Sequence, residues 1–381
     1  MSFTVRDIVL GESRGALELI QLSQEVGIVS TVGPLCSRCQ TPMTLQVASQ
    51  FVDQYAWRCQ KQTTVNKRKC RCNSSRSIRS AWLASGSHLK LSDFLIFVRL
   101  WITGAPYNVI SAECSINSNH TTTRISRSLL NVLKIRYIDH GEMLGGEGKT
   151  VEIDESKMGK RKFHRGHPVE GCWVFGGYER ESGKCFAVPV ARRNAAYLLP
   201  IIHHFIAPGT TIYSDCWKAY HCLANKGFQH MSVNHTIHFV DTETNVHTNA
   251  IESSWCAFKK VILPCHRTKS LITAHLARYL FNKDCRLTQS DRFVAFCKLV
   301  KEVENPSSTA KACADAYKKL IERLENLELP PELERSTDEQ DSISANYVTD
   351  PNDSQFVNYE DLDDVLDDEA RDDSNNSDFS C

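Results

Sequence analysis

The chain has 381 residues, 41% of them hydrophobic, enough for two or three domains with a substantial core. It contains no apolar run of about 18 residues, which argues against a membrane span, and Met1–Leu10 lacks the apolar region of a signal peptide. The net charge of zero hides a division: residues 332–381 hold 17 acidic and 2 basic residues, leaving 43 basic and 28 acidic in the remainder. A basic body points to a polyanionic partner, with a solvated surface of mixed charge as the plain alternative.

In chain order, residues 1–32 offer a helix around Ala16–Val26 and no legible chemistry. Residues 33–80 read as a zinc ribbon. Sixteen cysteines without a secretion signal suggest reduced thiols, and Cys36-Ser37-Arg38-Cys39 is a CxxC knuckle after Gly33-Pro34. Structural Zn²⁺ needs four tetrahedral ligands. Cys36, Cys39 and Cys59 supply three, and Cys72, with Cys70 as its alternative, the fourth. Unligated buried cysteines are the competing reading. Arg71, Arg76 and Arg79 would suit phosphate contacts or merely a wet surface.

Residues 85–140 read as helical. The stripe Leu91, Phe94, Leu95, Val98 and Ile102 ends at Gly104-Ala105-Pro106. Val109–Ala112, a polar turn and Thr121–Leu133 then suggest a helix-turn-helix presenting Thr122, Thr123, Arg124 and Arg127 to DNA, unless it is a plain helical hairpin. Gly141–Gly148 reads as a linker.

Residues 150–285 carry the central pattern. Strand 150–154 precedes a basic loop, Lys157–His167, that includes Lys160 and Arg161. A hairpin of Cys172–Tyr178 and Cys185–Val190, a helix over Ala195–Ile206 and a strand ending at Asp215 follow. A helix over Trp217–Asn225, a strand near Phe228–Val233 and a helix through Glu252 complete the set. The order of three strands, helix, strand, helix, strand, helix predicts an α/β fold: a ribonuclease H-like mixed sheet flanked by helices, preceded by the zinc ribbon and the helical segment. Residues 286–330 read as C-terminal helices and 331–381 as an acidic disordered tail.

Asp154 and Asp215 end strands, and Glu252 lies early in a helix whose stripe is Ile251, Trp255, Phe258 and Ile262. Lys259, seven residues on, shares the face of Glu252. Two strand-borne aspartates and a helix-borne glutamate can hold two divalent metals for phosphodiester chemistry. Each acid also has a structural reading: Asp154 a turn residue, Asp215 a cap on the next helix, and Glu252 the partner of Asn249 in a capping box. His235 and His247 would either assist the metals or be hydrogen-bonded loop residues.

Val151-Glu152-Ile153-Asp154-Glu155-Ser156, Ile212-Tyr213-Ser214-Asp215 and His247-Thr248-Asn249-Ala250-Ile251-Glu252-Ser253-Ser254-Trp255, with 36 residues between the second Asp and the Glu, resemble the signature blocks of Merlin-type DDE transposases and their bacterial insertion-sequence relatives. The resemblance covers roughly residues 33–285. It implies Mg²⁺ (or Mn²⁺) held by Asp154, Asp215 and Glu252, a downstream basic role for Lys259, and Asn249 as a possible participant. The acidic tail is not part of the family's pattern.

The expected function is therefore cutting and joining of double-stranded DNA at an element's terminal inverted repeats and at target DNA, by a homo-oligomer on that DNA, in the nucleus if the source is eukaryotic. Lys259 and Lys260 could anchor phosphates. The alternatives are a non-catalytic DNA-binding protein that keeps the ribbon and helix-turn-helix, and a ribonuclease H-like nuclease with another substrate.

Overall fold

The computed structural model describes residues 3–65, 68–79, 89–159, 171–215, 220, 222–233, 247–262, 269–304 and 306–327. The basic loop with Lys160 and Arg161, the residue His235 and the acidic tail lie outside the described residues, as do 217–219 and 221 of the expected helix after Asp215, whose described end includes a 3-10 turn over Leu223–Lys226. The chain divides into two units, one built from the described residues up to Val132 with Thr288–Pro306, the other from Leu133–Leu287 and the described residues from Ser307 on.

In the first unit, α1 (Val5–Arg14) and α2 (Ala16–Glu25) precede a ribbon of short strands. Thr4 and Asp7 form a reciprocal capping box at the start of α1. Strands β1 (Thr44–Val47), β2 (Tyr55–Arg58) and β5 (Ser75–Ser77) make an antiparallel sheet, and β3 (Gln62–Val65) with β4 (Arg68–Arg71) a separate hairpin. Helices α3 (Leu91–Thr103), α4 (Tyr107–Glu113) and α5 (Asn119–Lys134) follow. The left-handed Gly104 closes α3, as Gly104-Ala105-Pro106 foretold. The core gathers Phe94, Phe97 and Trp101 of α3 against Phe293 and Phe296 of α9 (Arg292–Glu304), where Arg99 reaches both oxygens of Asp291 at 2.8 Å.

The second unit is a mixed sheet flanked by helices. Its five strands are β7 (Thr150–Met158), β8 (Cys172–Glu179), β9 (Cys185–Val190), β11 (Thr211–Asp215) and β12 (Gln229–Val233), in the order β12-β11-β7-β8-β9. The β7–β8–β9 segment is an antiparallel meander, while β11 runs parallel to both β7 and β12. Between β9 and β11 the chain crosses over through α6 (Ala195–Phe205), started by the Asn194 side chain accepting the Tyr197 N–H. Helix α7 (Asn249–Val261) packs on β7 and β8, α8 (Lys269–Leu287) on β9, and α10 (Ser308–Glu325) on α6.

Two expectations change here. Strand β7 runs to Met158, so Asp154 lies in mid-strand rather than at a turn, because β8 pairs with it along its whole length. The glycine-rich stretch is not a free linker: β6 (Leu144–Gly145) pairs in parallel with β10 (Ile206–Ala207), and Glu179 accepts the Gly145 N–H at 2.6 Å. A Cβ at Gly141 would lie 2.2 Å from the Phe205 ring, so that glycine serves close packing.

Candidate active site and metal centres

Asp154 and Asp215 meet because of strand register. Tyr213 of β11 stands beside Glu152 of β7, and each aspartate lies two residues further along its strand, on the same face. Helix α7 lies over that face. Its stripe of Ile251, Trp255 and Phe258, with Ile262 just past its end, is buried, which turns Glu252 toward the strands' carboxylates.

Trp255 adds a polar contact that its place in an apolar stripe concealed, since its Nε1–H donates to Asp154 Oδ2 at 3.0 Å. The approach needs a bare backbone beneath the indole. A Cβ at Gly176, which pairs with Asp154, would stand 2.7 Å from the Trp255 ring and 2.8 Å from the Phe186 carbonyl oxygen.

The acids act on one another. Burial and then the Asp215 carboxylate push Asp154 up to about 7, with Glu252 adding to the rise and the Glu155 and Trp255 N–H groups opposing it. Glu155 is raised well above its ordinary value by burial, then by Asp154 and Asp215, against Arg193. One buried oxygen of Glu155, Oε1, has no hydrogen-bond partner among the described residues. Like charges crowded into partial burial are unfavourable alone, and hard carboxylate oxygens are the donor set of Mg²⁺ or Mn²⁺, so these residues fit a divalent cation. Lys259 and Lys260 are exposed in the last turn of α7, Lys259 two turns beyond Glu252.

The capping-box alternative for Glu252 does not form. The N-cap is Thr248, so Glu252 stands one position past the place a box requires, and Thr248 Oγ1 instead donates to Glu252 Oε1 at 3.2 Å. The helix start is met from the sheet. Glu152, 0% exposed, accepts the Ile251 N–H on Oε2 at 3.0 Å and the Arg180 Nε–H on Oε1 at 2.6 Å. Arg180 Nη2 donates to the His247 carbonyl at 3.0 Å and lies 2.8 Å from its Nδ1, and the guanidinium covers the Tyr213 ring at 4.8 Å. His247 is thus a hydrogen-bonded loop residue. Sequence reasoning missed Glu152 and Arg180, although alternation along Val151–Glu155 puts Glu152 on the same side as Asp154.

In the first unit, Cys36, Cys39, Cys59 and Cys72 place their sulfurs within 4.8 Å of one another, with Cys36–Cys72 at 3.7 Å and Cys39–Cys59 at 3.4 Å. Tetrahedral zinc with Zn–S bonds of about 2.3 Å requires sulfurs about 3.8 Å apart, so this cluster could form a zinc site. The backbone N–H groups of Arg38 and Cys39 lower the Cys36 thiol to about 6, toward the ligating thiolate. Cys70 lies on β4, and its side chain is outside what is described.

Arg124 and Arg127 are exposed on α5, whereas Thr122 is buried, with its hydroxyl 3.0 Å from that of Ser111 on α4. Thr122 therefore ties the two helices together rather than facing outward. Arg79 is likewise structural, its side chain 4% exposed in a forked pair with Asp53.

Residues 141–286 match the family model described as an ISXO2-like transposase domain. A 108-residue stretch is 28% identical to an "uncharacterized transposase-like protein" of Haemophilus influenzae (strain ATCC 51907 / DSM 11121 / KW20 / Rd), covering 28% of this chain and 84% of that protein. The family match contains Asp154, Asp215 and Glu252. Together these similarities support an insertion-sequence transposase family, and with it a transposase or a protein derived from one.

Proposed function

We propose that this chain is a DDE-type DNA transposase of Merlin type, or a protein derived from one, with a ribonuclease H-like catalytic unit. The observation that carries this reading is the convergence of Asp154, Asp215 and Glu252, from two neighbouring parallel strands and the helix above them, where burial and then Asp215 raise Asp154 to about 7. The fold reading is supported by the strand order, a central strand flanked by an antiparallel meander on one side and parallel strands on the other.

Asp154, Asp215 and Glu252 would hold Mg²⁺ or Mn²⁺. A divalent cation there supplies Lewis-acid activation of a water or DNA 3′-hydroxyl and charge neutralisation at the leaving oxygen. The chain's own groups do the rest. Trp255 fixes the orientation of Asp154 through its N–H on Oδ2. Lys259 and Lys260 draw phosphate toward an otherwise negative site. Arg124 and Arg127 contact the duplex from α5, and the four-cysteine ribbon stiffens the N-terminal part of a DNA-binding region whose targets are terminal inverted repeats. Work on paired ends implies a homo-oligomer on DNA.

The test is metal-dependent strand cleavage of DNA carrying the sequences that flank the gene, comparing the parent with Asp215→Asn. Cleavage by the parent alone is expected. DNA binding without cleavage by either would replace the enzyme with a non-catalytic DNA-binding protein.

A further inference from the structure

The first turn of a helix leaves N–H groups without partners, and a local Ser, Thr, Asn or Asp side chain usually meets them. At α7 the N-cap Thr248 makes no such bond, and the Ile251 N–H goes to Glu152 on β7. A wholly buried carboxylate is a costly cap, tolerable only with a partner such as Arg180. A local cap would fix where the helix begins in the sequence. A cap from the strand fixes where it begins in space.

Each arm of this hub ends next to a carboxylate of the acid site. Glu152 precedes Asp154 by two residues on the same face of β7, a step of about 6.6 Å. Ile251, whose N–H is held, directly precedes Glu252, a rise of about 1.5 Å. Tyr213, under the Arg180 guanidinium, precedes Asp215 by two residues on β11. The chain thus repeats the acid triad one layer down. There Glu152, Ile251 and Tyr213 are joined to one another by direct bonds and by Arg180.

We propose that Glu152 and Arg180 are positioning residues, a hub that sets the spacing of Asp154, Asp215 and Glu252 for a divalent cation. Neither is itself a ligand, since both Glu152 oxygens are occupied by the guanidinium and the Ile251 amide. The hub rests on the metal reading of the site given above.

The experiment uses the full chain as parent, Glu152→Gln, Arg180→Gln, the double variant, and Arg180→Lys as a milder change should the others fail to fold. Two quantities are read: hydrogen exchange in the peptide over Thr248–Trp255, and the Mn²⁺ concentration giving half-maximal thermal stabilisation. Glu152→Gln and Arg180→Gln are each expected to speed exchange there about tenfold while the β8–β9 hairpin is unchanged. Their Mn²⁺ midpoints should rise about 10- to 100-fold and remain saturable, as for other groups that orient metal ligands. The double variant should be no worse than either single one, and Arg180→Lys should fall between. A merely structural role would lower melting without moving the Mn²⁺ midpoint of the folded protein. Folded variants with parental exchange or parental midpoint overturn the hub. A parent with no Mn²⁺ response overturns the metal reading, and the hub with it.

Discussion

The four clustered cysteines of the first unit fall within residues 36–72, whereas the three acids of the second span residues 154–252. The cysteines sit at knuckle and strand ends of a ribbon with few large buried residues, Met43 and Trp57 chief among them. Their sulfurs are already near the spacing a metal imposes. Two of the acids stand on a sheet with its own apolar core, including Val151, Ile153, Val174, Phe175 and Ile212, and the third on the helix over it, and they repel one another there. On the function proposed above, a metal would complete the ribbon's fold, whereas on the sheet it would relieve a tension that the fold maintains without it. That contrast is why the first arrangement is proposed as a structural site and the second as a reactive one.

The largest effects separate the two. Cys59→Ser should take bound zinc from about one per chain to none, and limited proteolysis should then cut within residues 33–79 while the sheet stays intact. Metal analysis showing parental zinc would remove the cluster from consideration. Asp215→Asn should do the opposite, lowering metal-dependent DNA cleavage by at least about a thousandfold with zinc content unchanged and the metal-free protein no less stable than the parent.

A pH series sharpens the contrast. The folded-state Asp154 carboxyl is raised to about 7, above its unfolded value, so ionising it disfavours the folded state. The metal-free protein should therefore lose stability between about pH 4 and pH 7, and Mn²⁺ should restore it above pH 7. Melting curves of Asp154→Asn should show a shallower decline over that window and little response to Mn²⁺. An equal decline in parent and variant would mean that Asp154 does not feel its neighbours.

Smaller effects probe the supports. Gly176→Ala should cost about 1–3 kcal/mol, because Trp255 or the Phe186 backbone must move. Trp255→Phe keeps most of the packing but removes the N–H from Asp154, and should slow cleavage about tenfold. Arg124→Ala or Arg127→Ala should weaken DNA binding at every sequence and reduce the salt slope by about 1, with both metal sites untouched.

Local patterns made much of this legible. The CxxC knuckle at Cys36 marked the ribbon, alternation marked the strand bearing Asp154, the turn Pro208-Gly209 and a short buried run marked the strand ending at Asp215, and the stripe from Ile251 to Ile262 marked the face of α7. What stayed hidden depends on partners distant in the chain. Glu152 looks like any strand charge until Arg180 and the Ile251 amide arrive from two other elements. The capping box at Asn249 failed by one residue because the strand, not a local side chain, sets where α7 begins. Thr122 and Arg79 have the composition of DNA contacts, yet Ser111 and Asp53 hold them inward. Strand β7 continues past Asp154 because β8 supplies hydrogen bonds to Met158, which no local propensity announces.

The most direct test is a Mn²⁺ titration of the zinc-loaded full chain, following thermal stabilisation in the parent, Asp215→Asn and Glu252→Gln. An amide at position 252 preserves size and hydrogen bonding but carries no charge to hold the cation. If Asp154, Asp215 and Glu252 share one metal, the parent should be stabilised saturably at pH 8, and both variants should lose that response while still melting cooperatively. A Glu252→Gln chain that binds Mn²⁺ as the parent does would contradict the shared site and pass the third ligand to another residue, with Asn249 the nearest candidate.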